Sequence, residues 1–189
     1  MAEEKKRAVV ETALLMLLFF AYAGDMPPMV NEAHYMVKAK NYWQPEFCQH
    51  DLLVASAKAH TTFYALFGWP TLIMSLPAAT WLGRCVAWTM LALGLQRLCA
   101  VVNPKRFSCL IVAVVWIAGI EYCDLAGEWV VGGVEAKVPA YGLVLLGLSE
   151  ALEAAFLCLF ASFEKKLAPS DWYLGSALCD AAAAELAEA

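Results

Sequence analysis

Residues 61–82 read TTFYALFGWPTLIMSLPAATWL, an apolar stretch punctuated by Gly68, Pro70 and Pro77 and by the aromatics Phe63, Tyr64, Phe67, Trp69 and Trp81. A helix needs about 20 residues to span the hydrocarbon of a bilayer, so whether this stretch crosses decides the topology of everything around it. Prolines interrupt a helix, and tryptophan and tyrosine favour the headgroup level. Both features predict helices that lie along the interface. Four further apolar runs occupy 8–24, 85–102, 107–124 and 138–163. With 61–82 outside the membrane, Lys5, Lys6, Arg7, Arg97, Lys105, Arg106, Lys165 and Lys166 all fall on one side, against Lys38, Lys40, Lys58, Arg84 and Lys137 on the other. The eight-to-five excess then marks the cytoplasmic side. If 61–82 crosses, the clusters NPKR (103–106) and FEKK (163–166) turn outward. The first arrangement predicts an all-α polytopic membrane protein with about four transmembrane helices, a helical outer loop over 25–84, and both termini cytoplasmic; five spans is the alternative.

Composition agrees. The chain has 189 residues, 62% hydrophobic and 16% charged, with a mean hydropathy of +0.60. Soluble domains run at about 45–50% apolar and about 25% charged, and a chain this small cannot hide the excess. Disorder, coiled coil, collagen and a secreted disulfide scaffold are excluded. The thirteen basic residues form no stripe, which argues against a nucleic-acid partner. Seven cysteines, Cys48, Cys85, Cys99, Cys109, Cys123, Cys158 and Cys179, contain no CxxC pair and read as small hydrophobes. EEKKR precedes the first run, and no small-residue cleavage pattern follows it. An uncleaved signal-anchor in the inner (cytoplasmic) membrane is therefore expected. Residues 1–166 read as one membrane domain and 167–189 as an alanine-rich, acid-dotted cytoplasmic tail.

Chemistry, if the chain carries any, falls in the outer loop. Its titratable groups are Asp25, Glu32, His34, Glu46, His50, Asp51 and His60. Helical spacing over 31–43 groups Tyr35, Ala39 and Tyr42 on one face, with Asn31 as N-cap. Glu32 lies in the first turn near the positive end of the helix dipole, and Pro45 ends the helix. Glu32 reads either as a helix-start residue or as a carboxylate able to act as general base at the membrane surface. His34 reads as an interfacial residue or as part of a substrate site. The spacing of His34, His50, His60, Glu32 and Asp51 matches no metal-ligand pattern. No metal residue is assigned, and a divalent ion is the one cofactor left open. The second outer segment, 127–141, contains the Gly132–Gly133 turn followed by Glu135 and Lys137. Glu121, Asp124, Glu150 and Glu153 lie in or beside apolar runs, where ionisable groups face an interior or a watery path.

The strings NEAHYMVKAKNYWQPEFCQHDL (31–52), AHTTFYALFGW (59–69) and GEWVVGGVEAKVPAYGLVLLGL (127–148) resemble a family of uncharacterised, planctomycete-type bacterial multi-pass membrane proteins. That family in turn resembles the N-terminal part of GT-C superfamily glycosyltransferases, which use polyprenyl-phosphate-linked sugars. The resemblance implies transfer of a sugar to an acceptor hydroxyl on the outer face. Glu32 would be the base and Asp25 its substitute, with Arg84 and Lys137 on the lipid phosphate and His34 and His60 lining the substrate site. The sequence departs from the superfamily's Asp-Glu-x-x-Tyr at Asn31, which replaces the aspartate. Its span number is also about half or less of the superfamily's, which implies a fragment or a reduced member that needs a partner subunit or an oligomer. A non-catalytic membrane subunit or binding module, anchored through Trp43, Phe47, Trp69 and Trp129, is the rival reading. A small-solute transporter using Glu121, Glu150 and Glu153 is the third.

Overall fold

The computed structural model describes residues 2–29, 31–56, 59–123 and 131–167. The expectations for Lys58, Asp124, Trp129, Cys179 and the tail from 168 onward lie outside the described residues. Seven α-helices follow one another: α1 (Ala2–Ala23), α2 (Glu32–Trp43), α3 (Leu52–Ala55), α4 (Thr61–Gly68), α5 (Leu76–Val102), α6 (Ser108–Cys123) and α7 (Lys137–Leu167). A 3-10 turn at Trp69–Leu72 follows α4, and no strand occurs among the described residues. The chain divides into a unit of residues Met1–Leu146 and a second beginning at Gly147, the division falling within α7. Two helical stretches, Leu76–Val102 and Lys137–Leu159, are long and apolar enough to cross a membrane.

Residues 61–82 do not form one helix. Pro70 stands in the 3-10 turn, and Ser75 then caps a new helix by accepting the Ala78 N–H at 3.4 Å, with Pro77 in the first turn. There proline's fixed φ fits and its missing N–H costs nothing. Helix α5 therefore begins nine residues before the apolar run expected at 85, and it carries Arg84 inside it. Hydropathy alone ended that run at the charge; a partner for Arg84 lets the helix run through.

Within the first unit a ladder of contacts fixes helix directions. Arg7, at the start of α1, donates to the Pro104 and Lys105 carbonyls beyond the end of α5, both at 2.7 Å. Further along, Thr89 Oγ1 reaches Met16 Sδ at 3.7 Å, the Phe20 and Trp81 rings lie 6.0 Å apart, and Arg84 meets the Asp25 carbonyl just past α1. Numbers fall on α5 as they rise on α1, so the two helices are antiparallel. Tyr22 donates to Glu121 at the far end of α6, so α1 and α6 run parallel. Gly83 lies against Val134, and Gly94 against Gly142 and Leu145, so the start of α7 runs with α5. The loop 103–107 thus shares one end of the bundle with the start of α1, while 25–75 and 131–136 share the other.

The interior of this bundle is Leu15, Phe19, Trp88, Leu91, Leu95, Cys109, Ala113 and Val138. A second apolar cluster at the opposite end from 103–107 joins Met36 and Ala39 of α2 to Phe63 and Tyr64 of α4, Ala79 of α5 and Val134. Outward faces stay apolar: Leu17 and Phe20 on α1, Val86 and Leu93 on α5, Ile111 and Val115 on α6, and Leu143 and Val144 on α7 are all exposed. Of the cysteines, Cys99 and Cys109 are buried, whereas Cys48, Cys85 and Cys158 are exposed.

Close approach of α5 and α7 depends on glycine. A Cβ on Gly142 would come 2.7 Å from the Met90 carbonyl carbon, and one on Gly94 would come 2.6 Å from the Gly142 oxygen. Small residues let helix backbones touch in this way. Gly142→Val is expected to destabilise the protein by about 1–3 kcal/mol, the usual cost of overpacking. Thermal unfolding in detergent, compared with Gly147→Val where a Cβ meets nothing within 4 Å, measures it.

Candidate functional site

The structure brings two of the predicted site residues, Glu32 and Arg84, into direct contact with each other. Arg84 Nε donates to Glu32 Oε1 at 2.6 Å and Nη2 to Oε2 at 2.5 Å, a bidentate pair whose side chains are 0% and 1% exposed. The planar guanidinium fork matches a carboxylate in this way and no ammonium could. Arg84 Nη1 donates to the Asp25 carbonyl at 2.5 Å, and the Trp81 ring lies 4.7 Å from the guanidinium carbon. Aromatic stacking on a desolvated cation adds to the pair.

Glu32 accepts two more hydrogen bonds, from the backbone N–H of Val134 to Oε1 and of Met29 to Oε2, both at 2.7 Å. Each oxygen therefore accepts two donors, the capacity of an ionised carboxylate. Gly133 closes over the group: a Cβ there would sit 2.4 Å from Glu32 Cγ. Trp88 Nε1 pins the same turn by donating to the Gly132 carbonyl at 2.9 Å. One carboxylate thus ties together α2, α5, the turn after α1 and the turn before α7. Asn31 does stand at the N-cap, but its side chain makes no capping bond. The carboxylate of Glu32 folds back to the Met29 N–H, ahead of the helix, while the Met29 and Asn31 carbonyls accept the first N–H groups of α2.

The other predicted residues are distributed around this pair. Asp25 is exposed and contributes its backbone carbonyl. Lys137 Nζ lies 3.1 Å from Glu135 Oε2, with the Glu135 side chain almost entirely buried. His34 is exposed on α2. His60, exposed at the start of α4, meets Tyr35 Oη at 3.3 Å and packs on the Tyr35 and Tyr64 rings. Burial pushes the Tyr64 phenol above its ordinary pKa, with Tyr35 adding to the effect, so it stays neutral. Asp51 caps α3 by accepting the Leu53 and Val54 N–H groups. Among the described residues, no three His, Cys, Asp or Glu side chains converge as a metal site would require.

Near the pair lies a cavity of about 740 Å³ whose lining includes Gly83, the residue before Arg84, and Ala136. Its walls come from α4, the 3-10 turn, the stretch of α5 from Ala79 to Met90 and the start of α7, and among the described residues no Asp, Glu, Lys or Arg lines it. Compared with known protein families, curated proteins and solved structures, the chain matches none.

Sequence reasoning missed a second buried carboxylate. Glu11, 2% exposed on α1, accepts from Arg7 Nε at 2.8 Å, Gln96 Nε2 at 3.1 Å and the Phe107 N–H at 2.8 Å. Phe107 holds a left-handed φ of 60°, a cost for a bulky residue that the Glu11 bond helps to offset. The visible signal was an Arg–x–x–x–Glu spacing running into an apolar stretch.

Removing one partner of a buried pair leaves an uncompensated charge. Glu32→Gln and Arg84→Met are each expected to cost about 3–5 kcal/mol. The double variant should cost less than their sum, and a thermal-unfolding double-mutant cycle measures that coupling.

Proposed function

We propose that the chain is a four-span integral membrane protein of the inner membrane, with α1, α5, α6 and α7 crossing in alternating directions. Its outer end would be a rigid, non-catalytic binding module or subunit. The observation that carries the second half is the state of Glu32. A general base must present a lone pair to the incoming hydroxyl, and both Glu32 oxygens are fully engaged inside the protein. The first half is supported by the alternation of helix directions and by the exposed apolar faces. The segment 61–82 folds back as short pieces, and the basic loop 103–106 lies beside the basic start of α1. That distribution satisfies the positive-inside rule.

The transporter reading draws on Glu121, Glu150 and Glu153; Glu121 accepts from the Tyr22 hydroxyl, and the buried acids Glu11, Glu32 and Glu135 are each paired with a base. The transferase reading implied by resemblance draws on one observation: Asp25 is exposed on the turn whose carbonyl Arg84 holds. In that form the chain is the membrane part of a polyprenyl-phosphate-sugar transferase, with Asp25 rather than Glu32 as base. Asp25→Asn would then lower sugar transfer from polyprenyl phosphate by about 100-fold or more, the usual contribution of a general base. Unchanged transfer would leave the binding-module reading alone.

Topology is tested in intact cells. With Cys48, Cys85 and Cys158 replaced by serine, an impermeant thiol reagent is expected to label Ser56→Cys and to spare Lys105→Cys. Labelling of both would mean that 61–82 crosses, and would remove the four-span reading.

A further inference from the structure

We propose that the cavity between α4, the 3-10 turn, α5 and α7 holds one acyl chain of a bilayer phospholipid, with the headgroup at His60, Thr61 and Thr62. The inference rests on the four-span reading.

Polarity is graded along the cavity. Its charge-free, hydrocarbon wall includes Leu66, Phe67, Leu82, Val86, Met90 and Leu143. Its hydroxyl and imidazole groups are confined to the start of α4, where His60, Thr61 and Thr62 are exposed. A lipid has the same grading: an apolar chain ending in a hydrated head. Among the described residues no Asp, Glu, Lys or Arg lines the cavity, so its wall offers a charged solute no carboxylate, ammonium or guanidinium, and Glu32 and Arg84 direct their hydrogen bonds at each other and at backbone. The volume of about 740 Å³ falls within the range of about 300–1,000 Å³ usual for ligand sites.

The rim identifies the source. Leu66, Trp69, Leu82, Val86 and Leu143 line the cavity and are at the same time exposed on the outer surface of the first unit, at 63%, 49%, 40%, 43% and 59%. The cavity is therefore continuous, along the sides of α5 and α7, with the apolar faces that the four-span reading sets against lipid. A chain can slide in sideways without leaving hydrocarbon. The broken segment 61–82 builds this recess: the Pro70 turn and the Ser75 cap set α4 and the 3-10 turn beside α5 as one wall, whereas a single helix over 61–82 would extend α5 in line and leave that wall missing.

The test uses the full-length protein in nanodiscs of phosphatidylethanolamine and phosphatidylglycerol containing a trace of phospholipid with a diazirine midway along one chain. After irradiation, cross-linked peptides are mapped by mass spectrometry. Adducts are expected to concentrate in 63–70, 79–90 and 136–143. Ala140→Trp, an exposed wall position, should lower them about tenfold, equivalent to about 1.4 kcal/mol, and Leu143→Trp should act likewise. Val115→Trp, on the exposed face of α6 away from the cavity, should leave them unchanged. Adducts spread evenly over α1, α6 and α7 and insensitive to Ala140→Trp would overturn the proposal. So would protein–protein adducts at these peptides, which would make the occupant a second copy, and so would displacement by polyprenyl phosphate but not by added phospholipid. If Ser56→Cys and Lys105→Cys label on opposite faces while the cavity adducts are absent, the lipid site fails and the four-span reading stands.

Discussion

A carboxylate and a guanidinium buried against each other constrain the end of the bundle opposite the 103–107 loop. Moving either ion alone out of water costs several kcal/mol, which only close geometry and complete hydrogen bonding recover. Glu32 and Arg84 meet both conditions, and the partners that complete them come from separate parts of the chain: the Met29 and Val134 N–H groups and the Asp25 carbonyl. Each partner is a backbone group, so the pair positions the main chain at two turns, the one after α1 and the one before α7. Gly133 follows as a requirement, since no side chain fits between that turn and Glu32. Trp81 and Trp88 follow as well, one over the guanidinium and the other holding the glycine turn.

Arg7 and Glu11 do the same work at the opposite end, with fewer groups. Arg7 reaches two carbonyls of the 103–107 loop, and Glu11 takes the N–H of Phe107 in its left-handed conformation. In both places a charge pair holds a loop against a helix where apolar packing offers little. A bilayer gives helices no hydrophobic reason to associate, since lipid tails are as apolar as leucine. On the four-span proposal, buried polar clamps at the two ends, with glycine contacts between α5 and α7, would supply what the hydrophobic effect supplies in water.

Fold class was legible because its signals are local. Runs of apolar residues, prolines at 70 and 77 and the helical spacing of 32–43 depend only on neighbours in sequence, and the helices appear where those signals lie. The start of α5 was misjudged for a non-local reason. Arg84 looks like a boundary until its partner, 52 residues earlier, is known. Both members of the pair were singled out from the sequence, Glu32 as a base and Arg84 as a phosphate ligand. That they neutralise each other could not be read from spacing, because a loop and three helices intervene. Glu11 escaped for a related reason: an acid within an apolar run is noticed only once Arg7, Gln96 and Phe107 are seen around it.

This arrangement separates rigidity from binding. The ions have their valences met inside the protein, and among the described residues no Asp, Glu, Lys or Arg lines the cavity. An unpaired charge in that wall would draw water into the recess and repel a hydrocarbon chain. Full pairing therefore matters to the cavity as much as to the fold, because the field of each ion is cancelled within a few ångströms. The broken path of 61–82 completes the logic. A continuous helix there would carry α5 on in line and remove one wall, whereas the Pro70 turn and the Ser75 cap set α4 beside α5 and leave a recess between them. Prolines that interrupt one helix, and a salt bridge that permits the next to begin early, together produce the one large apolar recess described beside the pair.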